Sequence, residues 1–154
     1  MATFFFQSSA IVKRYLAEVG TAWVSSLTDL AAANKVYLAR IAFVEAISAI
    51  ARKAGGSGLS ATDAAKAIAD FRDDFANEYS VIELTPTLIE SAADLAENRR
   101  LRAYDAVQLA AAMQLDAETT SASLASIILI SADGASNTAA IAEGLAVDDP
   151  NLHP

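Results

Sequence analysis

Phe4-Phe5-Phe6-Gln7-Ser8-Ser9-Ala10-Ile11-Val12 is the stretch on which the fold turns. Three consecutive phenylalanines make a short strand with no polar face, as expected of a strand covered on both sides. Ser8 or Ser9 then offers an N-cap for a helix carrying Ile11, Val12, Tyr15 and Leu16. The same order recurs along the chain. Val36 to Leu38 precedes a helix whose expected buried face is Ile41, Val44, Ile47 and Ile50. Val81 to Leu84 precedes Thr85-Pro86, a cap with proline at the first helical position, and Ser126 to Ile130 precedes a helix over 135–143. Further helices are expected from Gly20 to about Ala33, from Ser60 with Ala64, Ala67, Ile68, Phe71 and Phe75 on one face, and from Ala103. Leu145 to Val147 adds an edge strand, and Gly55-Gly56-Ser57-Gly58 reads as a loop between helices. Strands alternating with helices predict an α/β fold with a mostly parallel central sheet flanked by helices on both faces.

Composition narrows the chemistry. A length of 154 residues suits one domain with its own core, and no apolar run approaches the roughly 18 residues that a membrane span needs. The opening segment lacks a basic region ahead of its short apolar run, so no secretory signal is read and a cytoplasmic location is expected. The absence of cysteine excludes disulfides, zinc–thiolate sites and thiol nucleophiles. The single histidine, His153, lies next to the C-terminus, which argues against a histidine-based triad. A net charge of -8 argues against a broad phosphate-binding surface but leaves room for a nuclease that holds its scissile phosphate through metal ions.

Three acids interrupt otherwise apolar stretches: Glu45, Asp105 and Asp133. Taken singly, Asp105 suits the first turn of a helix, with Arg102 three residues earlier, and Asp133 suits a turn or helix cap. Glu45, between Val44 and Ala46, fits such a reading less well. In a parallel α/β fold, ligands bind beyond the carboxyl ends of the strands, and Gln7, Glu45, Asp105 and Asp133 all fall near that edge. Clustered carboxylates repel one another unless a cation neutralises them. Oxygen ligands without histidine or cysteine select Mg2+ or Mn2+, the ions of phosphodiester chemistry.

These segments resemble the PIN-domain ribonucleases, and the VapC-type toxins of type II toxin–antitoxin pairs in particular. The likeness is carried by residues 4–15, by Phe43-Val44-Glu45-Ala46-Ile47 onward, by Leu101-Arg102-Ala103-Tyr104-Asp105-Ala106, and by Ile130-Ser131-Ala132-Asp133 with Asn137-Thr138-Ala139-Ala140. It implies a single PIN-like domain over residues 1–148 with a C-terminal tail at 149–154. It further implies Mg2+-dependent RNA cleavage, a homodimer and a cognate antitoxin. Glu45, Asp105 and Asp133 match the family's acidic metal ligands, and Ser9, Asn137 and Arg102 stand where supporting residues are expected.

Gln7 departs from the family pattern, which has an Asp there. An amide contributes an oxygen but no charge, so weaker metal binding and weakened cleavage are expected. The alternative is a catalytically inactive PIN-fold module that pairs with an antitoxin or with itself. A response-regulator-like phosphoacceptor would need an acidic pair after the first strand, where Gln7-Ser8-Ser9 stands. A nucleotide-cofactor enzyme would need a glycine-rich loop after a strand, and Gly55-Gly56-Ser57-Gly58 lies between helices instead. The basic residues near the expected site, Lys13, Arg14, Arg52, Lys53 and Arg102, fit a solvated helix face as well as contact with RNA phosphates, and Lys13 and Arg102 are the ones nominated to hold substrate or orient Asp105.

Overall fold

A computed structural model describes residues 1–56 and 58–154. Five parallel strands, β1 (Thr3–Phe6), β2 (Lys35–Ala39), β3 (Ser80–Ile82), β4 (Ile128–Ile130) and β5 (Ala146–Asp148), lie in the order β3-β2-β1-β4-β5. Among the described residues seven helices join them: α1 (Ser8–Ile11), α2 (Thr21–Thr28), α3 (Arg40–Gly55), α4 (Ala61–Asn77), α5 (Pro86–Arg99), α6 (Ala103–Ser121) and α7 (Gly134–Ala142). The α/β layering read from the sequence is the one observed.

Phe4 and Phe6 face one core and Phe5 the other, because successive side chains of a strand point to opposite faces. Phe4 and Phe6 meet Ile11, Val24, Leu38, Ile50, Phe71 and Phe75 beneath α1 to α4. Phe5 meets Leu88, Leu109, Ile127, Leu129 and Ala140 beneath α5 to α7. The chain first winds outward from β1 to β3, then returns through α5 and α6 to place β4 against the other side of β1. The winding direction therefore reverses between β1 and β4, and the crevice beyond their carboxyl ends is where such folds bind ligands.

Several local expectations change. The first helix does not run through Leu16: α1 tightens after Ile11 into a 3-10 turn over Val12–Arg14, which aims Arg14 and Tyr15 at Asp74 and Tyr79. Neither Ser8 nor Ser9 caps α1. Gln7 holds the N-cap position without a side-chain cap bond, because all three side chains are turned into the site described below. The second helix stops at Thr28, and Asp29 caps a separate 3-10 turn at Leu30–Ala32. On α3 the buried seam is Ala42, Ala46 and Ile50, while Val44 is 61% exposed. Small residues on that seam let the helix sit close to the sheet, and the rotation brings Glu45 to a half-buried edge. Ser60 and Thr85 cap α4 and α5 as expected. Of the expected Gly55-Gly56-Ser57-Gly58 loop, Ser57 lies outside the described residues, and Gly55 is the last residue of α3.

Residues 149–154 fold back onto α2. Pro150 is buried, and the His153 ring stacks on Trp23 with centroids 3.9 Å apart and planes 5° from parallel. Gly20, at φ +89°, lies beneath the Pro150 carbonyl, where no Cβ would fit. No helix among the described residues is long and apolar enough to cross a membrane.

Candidate active site

Gln7 leaves β1 at the point where the winding reverses, and its side chain is 3% exposed. Its amide uses its whole hydrogen-bonding capacity. Nε2 donates to Asp105 Oδ1 at 3.2 Å and to Ser136 Oγ at 3.0 Å. Oε1 accepts a short bond from Ser131 Oγ and another from Ser9 Oγ at 3.4 Å. A carboxylate can only accept, so Asp105 fixes which end of the amide faces it.

The other acids are held by different partners. Asp133 is the N-cap of α7: its Oδ1 accepts from Ala135 N at 3.0 Å and Ser136 N at 3.4 Å. Glu45 accepts from Gln108 Nε2 at 2.7 Å and from Ser8 Oγ at 3.2 Å, so both its oxygens are occupied. Gln108 is 1% exposed and also takes the Ser8 N–H on its Oε1 at 2.9 Å, tying α1, α3 and α6 together. Ser9 Oγ receives the Ala132 N–H at 3.1 Å, which fastens the loop after β4 to the loop after β1. Asn137 donates through Nδ2 to the Ser131 carbonyl at 2.9 Å, while its Oδ1 is buried without a partner among the described residues.

Asp105 and Glu45 each feel a neighbouring acid. Burial raises the Asp105 carboxyl above the ordinary range; the nearby Asp133 charge adds to this, and Arg102 opposes it. Burial likewise raises Glu45, with Asp105 contributing, against the stabilising bonds from Ser8 and Gln108. Arg100, Leu101, Arg102, Asp105, Asp133 and Ala135 line a cleft of about 400 Å³.

All four nominated residues thus lie at one strand-end crevice, though they form two groups. Gln7, Asp105 and Asp133 belong to one, and Glu45 with Ser8 and Gln108 to the other. Among the described residues no three acidic side chains converge closely enough to share an ion. What does fit a hard divalent ion is the pair Asp105 and Asp133, each with an Oδ2 that takes no hydrogen bond and both opening on the cleft. The Gln7 oxygen is committed to two hydroxyls and faces away from Asp105.

The sequence gives no site role to Ser131, Ser136 or Gln108, and reads Ser8 only as a helix cap. Gln108 carried the same signal as Glu45, a lone polar residue in an apolar helical seam. The serines carried none, because a serine after a strand is ordinarily a cap or turn. Lys13 does not reach the site. It is 5% exposed and its Nζ is spent on Glu18 at 3.2 Å, while Arg14 is engaged by Tyr79 at 2.7 Å and Glu78 at 3.2 Å. Lys53 also pairs with Glu18.

A parallel sheet with this winding and a carboxylate-lined crevice at the reversal defines a class of acid-site α/β proteins. The chain belongs to the PIN domain family, whose model matches residues 5–139. It is 34% identical over 113 residues to ribonuclease VapC45 of Mycobacterium tuberculosis, covering 73% of this chain and 76% of that one. Ribonuclease VapC49 of the same species shows the same identity and coverage. Among solved structures, PAE2754 of Pyrobaculum aerophilum superposes with a TM-score of 0.66 at 16% identity, covering 98% of this chain and 85% of that one. VapC20 of M. tuberculosis, a toxin that cleaves the sarcin–ricin loop, superposes with a TM-score of 0.60 at 16% identity over 98% and 99% of the two chains. VapBC2 of Rickettsia felis, solved with a DNA fragment from its promoter, gives 0.58 at 14% identity over 96% and 98%. These superpositions share the fold.

Proposed function

We propose that the chain is an endoribonuclease of the VapC toxin type whose cleavage is weakened by Gln7. The observation that carries this reading is the Gln7–Asp105 hydrogen bond: a neutral donor occupies the inner oxygen of the acid best placed to hold an ion. Asp105 and Asp133 hold Mg2+ or Mn2+ in the cleft, and Glu45 contributes a further negative charge beside them, oriented by Gln108 and Ser8. Such an ion would supply Lewis acidity to a phosphate oxygen and would lower the pKa of a water beside it. Ser9 and Asn137 brace the two loops that present Gln7 and Asp133, and Arg102 stands at the rim to meet an RNA phosphate.

The relatives' identity as ribonucleases supports RNA as substrate, and their VapC names support a cognate antitoxin as partner; a homodimer as the working form belongs to the same proposal. The complete satisfaction of the Gln7 amide favours a second reading, a catalytically silent module that pairs with an antitoxin or itself. Incubating single-stranded RNA with Mg2+ or Mn2+ and comparing this chain with its Gln7→Asp variant separates the two. Slow cleavage that the variant accelerates supports the weakened nuclease. Equal, robust activity of both removes the role given to Gln7, and silence in both favours the module.

A further inference from the structure

We propose that Arg100 is an RNA-phosphate-binding residue of the cleft, acting beside Arg102; this rests on the ribonuclease reading above. Arg100 stands directly after α5 at φ +54°, ψ +38°, a left-handed conformation. Glycine is the usual occupant of such a helix end, because any Cβ there carries a steric cost. An arginine at this position forgoes that local stability. Its place accounts for it: Arg100 and Arg102 line the same cleft as Asp105 and Asp133.

Charge pairing separates these two arginines from most of the other cations. Lys13, Arg14, Arg40, Lys53, Lys66 and Arg99 all sit in salt bridges, Arg99 with Glu143 at 3.0 Å. Among the described residues, neither Arg100 nor Arg102 forms one, in a chain of net charge -8 and within a cleft that contains two carboxylates. A cleft lined by both guanidinium groups and carboxylates matches a phosphodiester, whose oxygens can be shared between a carboxylate-held ion and an arginine fork. The left-handed backbone at residue 100 lets the chain turn between α5 and α6 with both arginines on the cleft side, two residues apart.

The test is binding of a fluorescein-labelled single-stranded RNA with 2′-O-methyl riboses, which resists cleavage, in magnesium buffer across a salt series. Arg100→Gly, Arg100→Lys and Lys35→Ala, at the amino end of β2 opposite the crevice, are compared with the unmodified chain, each with its thermal midpoint. We expect Arg100→Gly to bind about five- to tenfold more weakly, with the log–log salt slope reduced by about 0.7 for one lost single-strand phosphate contact. Its midpoint stays level or rises, since glycine suits the left-handed position. Arg100→Lys keeps the salt slope, and Lys35→Ala binds as the unmodified chain does. Undiminished binding by Arg100→Gly with an unchanged slope overturns the proposal and leaves the ribonuclease reading standing. A lowered midpoint in Arg100→Gly with equal weakening in Arg100→Lys assigns the residue a structural role and also overturns it. No RNA binding by the unmodified chain overturns both readings together, and Arg100-dependent binding of polyglutamate in place of RNA gives the cleft to an acidic peptide.

Discussion

The amide of Gln7 donates to the carboxylate of Asp105 across 3.2 Å, at the point where β1 and β4 diverge. Two carboxylates there would repel each other without an ion between them, whereas an amide and a carboxylate attract without one. Gln7 thereby does part of what a bound cation would do, and the crevice is electrostatically settled before any ion arrives.

Gln7→Asp therefore has opposite effects with and without metal. Without divalent ions it loses both N–H donors and places an acid against Asp105, and we expect a loss of about 3–5 kcal/mol, in the range for an uncompensated buried charge. Saturating Mn2+ should recover that loss and raise the variant's thermal midpoint, while the midpoint of the unmodified chain moves less. Thermal unfolding with and without Mn2+ checks this, and a variant indifferent to the ion contradicts it.

Gln108 is expected to matter as much as the acids it supports. Gln108→Leu leaves Glu45 Oε1 and the Ser8 N–H without their partners in a half-buried setting. Losing those bonds should cost about 2–3 kcal/mol, since stranded polar groups carry their full desolvation penalty. Urea denaturation measures it. Gln108→Glu should be worse, because it sets a carboxylate against Glu45, and the gap between the two variants isolates the charge effect from the packing effect.

Much of this arrangement was legible before any coordinates. Phe4-Phe5-Phe6 reads as a strand buried on both faces and Thr85-Pro86 as a helix start, since both rest on local sterics and periodicity, and both are observed. The strand-end placement of Gln7, Glu45, Asp105 and Asp133 followed from the alternation of strands and helices. What the sequence left open depends on contacts distant in the chain. The serines after β1 read as caps because capping is local, while their actual bonds to Glu45 and to the β4 loop bring together residues tens of positions apart. Lys13 reads as a substrate-holding cation because it follows the β1 loop closely in sequence, and only the packing of the 3-10 turn shows it buried on Glu18. The face of α3 was misjudged because an Ile–Val–Ile seam looks more hydrophobic than an alanine seam, although close approach to the sheet favours the smaller residues.

The pH dependence should carry the signature of the two raised acids. Glu45 and Asp105 both have carboxyls raised by burial, so the folded state favours their protonated forms relative to the unfolded chain. Their contribution is fully present below the ordinary carboxylate range and is lost as pH rises through the raised folded values. Ion binding must displace those protons, so Mn2+ affinity should increase over the same interval. Thermal midpoints measured from acid to neutral pH test this, and Glu45→Gln with Asp105→Asn should flatten the profile. A profile unchanged by the double substitution would assign the dependence to other groups.

The C-terminal segment is expected to stabilise the site from a distance. The Ser131 N–H donates to the Asp148 carbonyl at 3.2 Å, so β5 carries the loop that presents Ser131 to Gln7. β5 is followed at once by the turn in which Pro150 covers Gly20 and His153 lies on Trp23, with its ring nitrogen 2.8 Å from Asp148 Oδ1. Truncation after Asp148 removes the aromatic stack and the burial of Pro150, and should cost about 2 kcal/mol from lost aromatic contact and apolar area. Gly20→Ala should cost at least as much, because it adds about 1 kcal/mol of left-handed backbone strain to a Cβ that meets the Pro150 carbonyl. Amide hydrogen exchange gives the sharper readout: both changes should speed exchange at Ser131 and across β5 before they affect β2 or β3. Uniform acceleration throughout the sheet would show that the segment supports the whole fold and holds no special grip on the edge that carries the site.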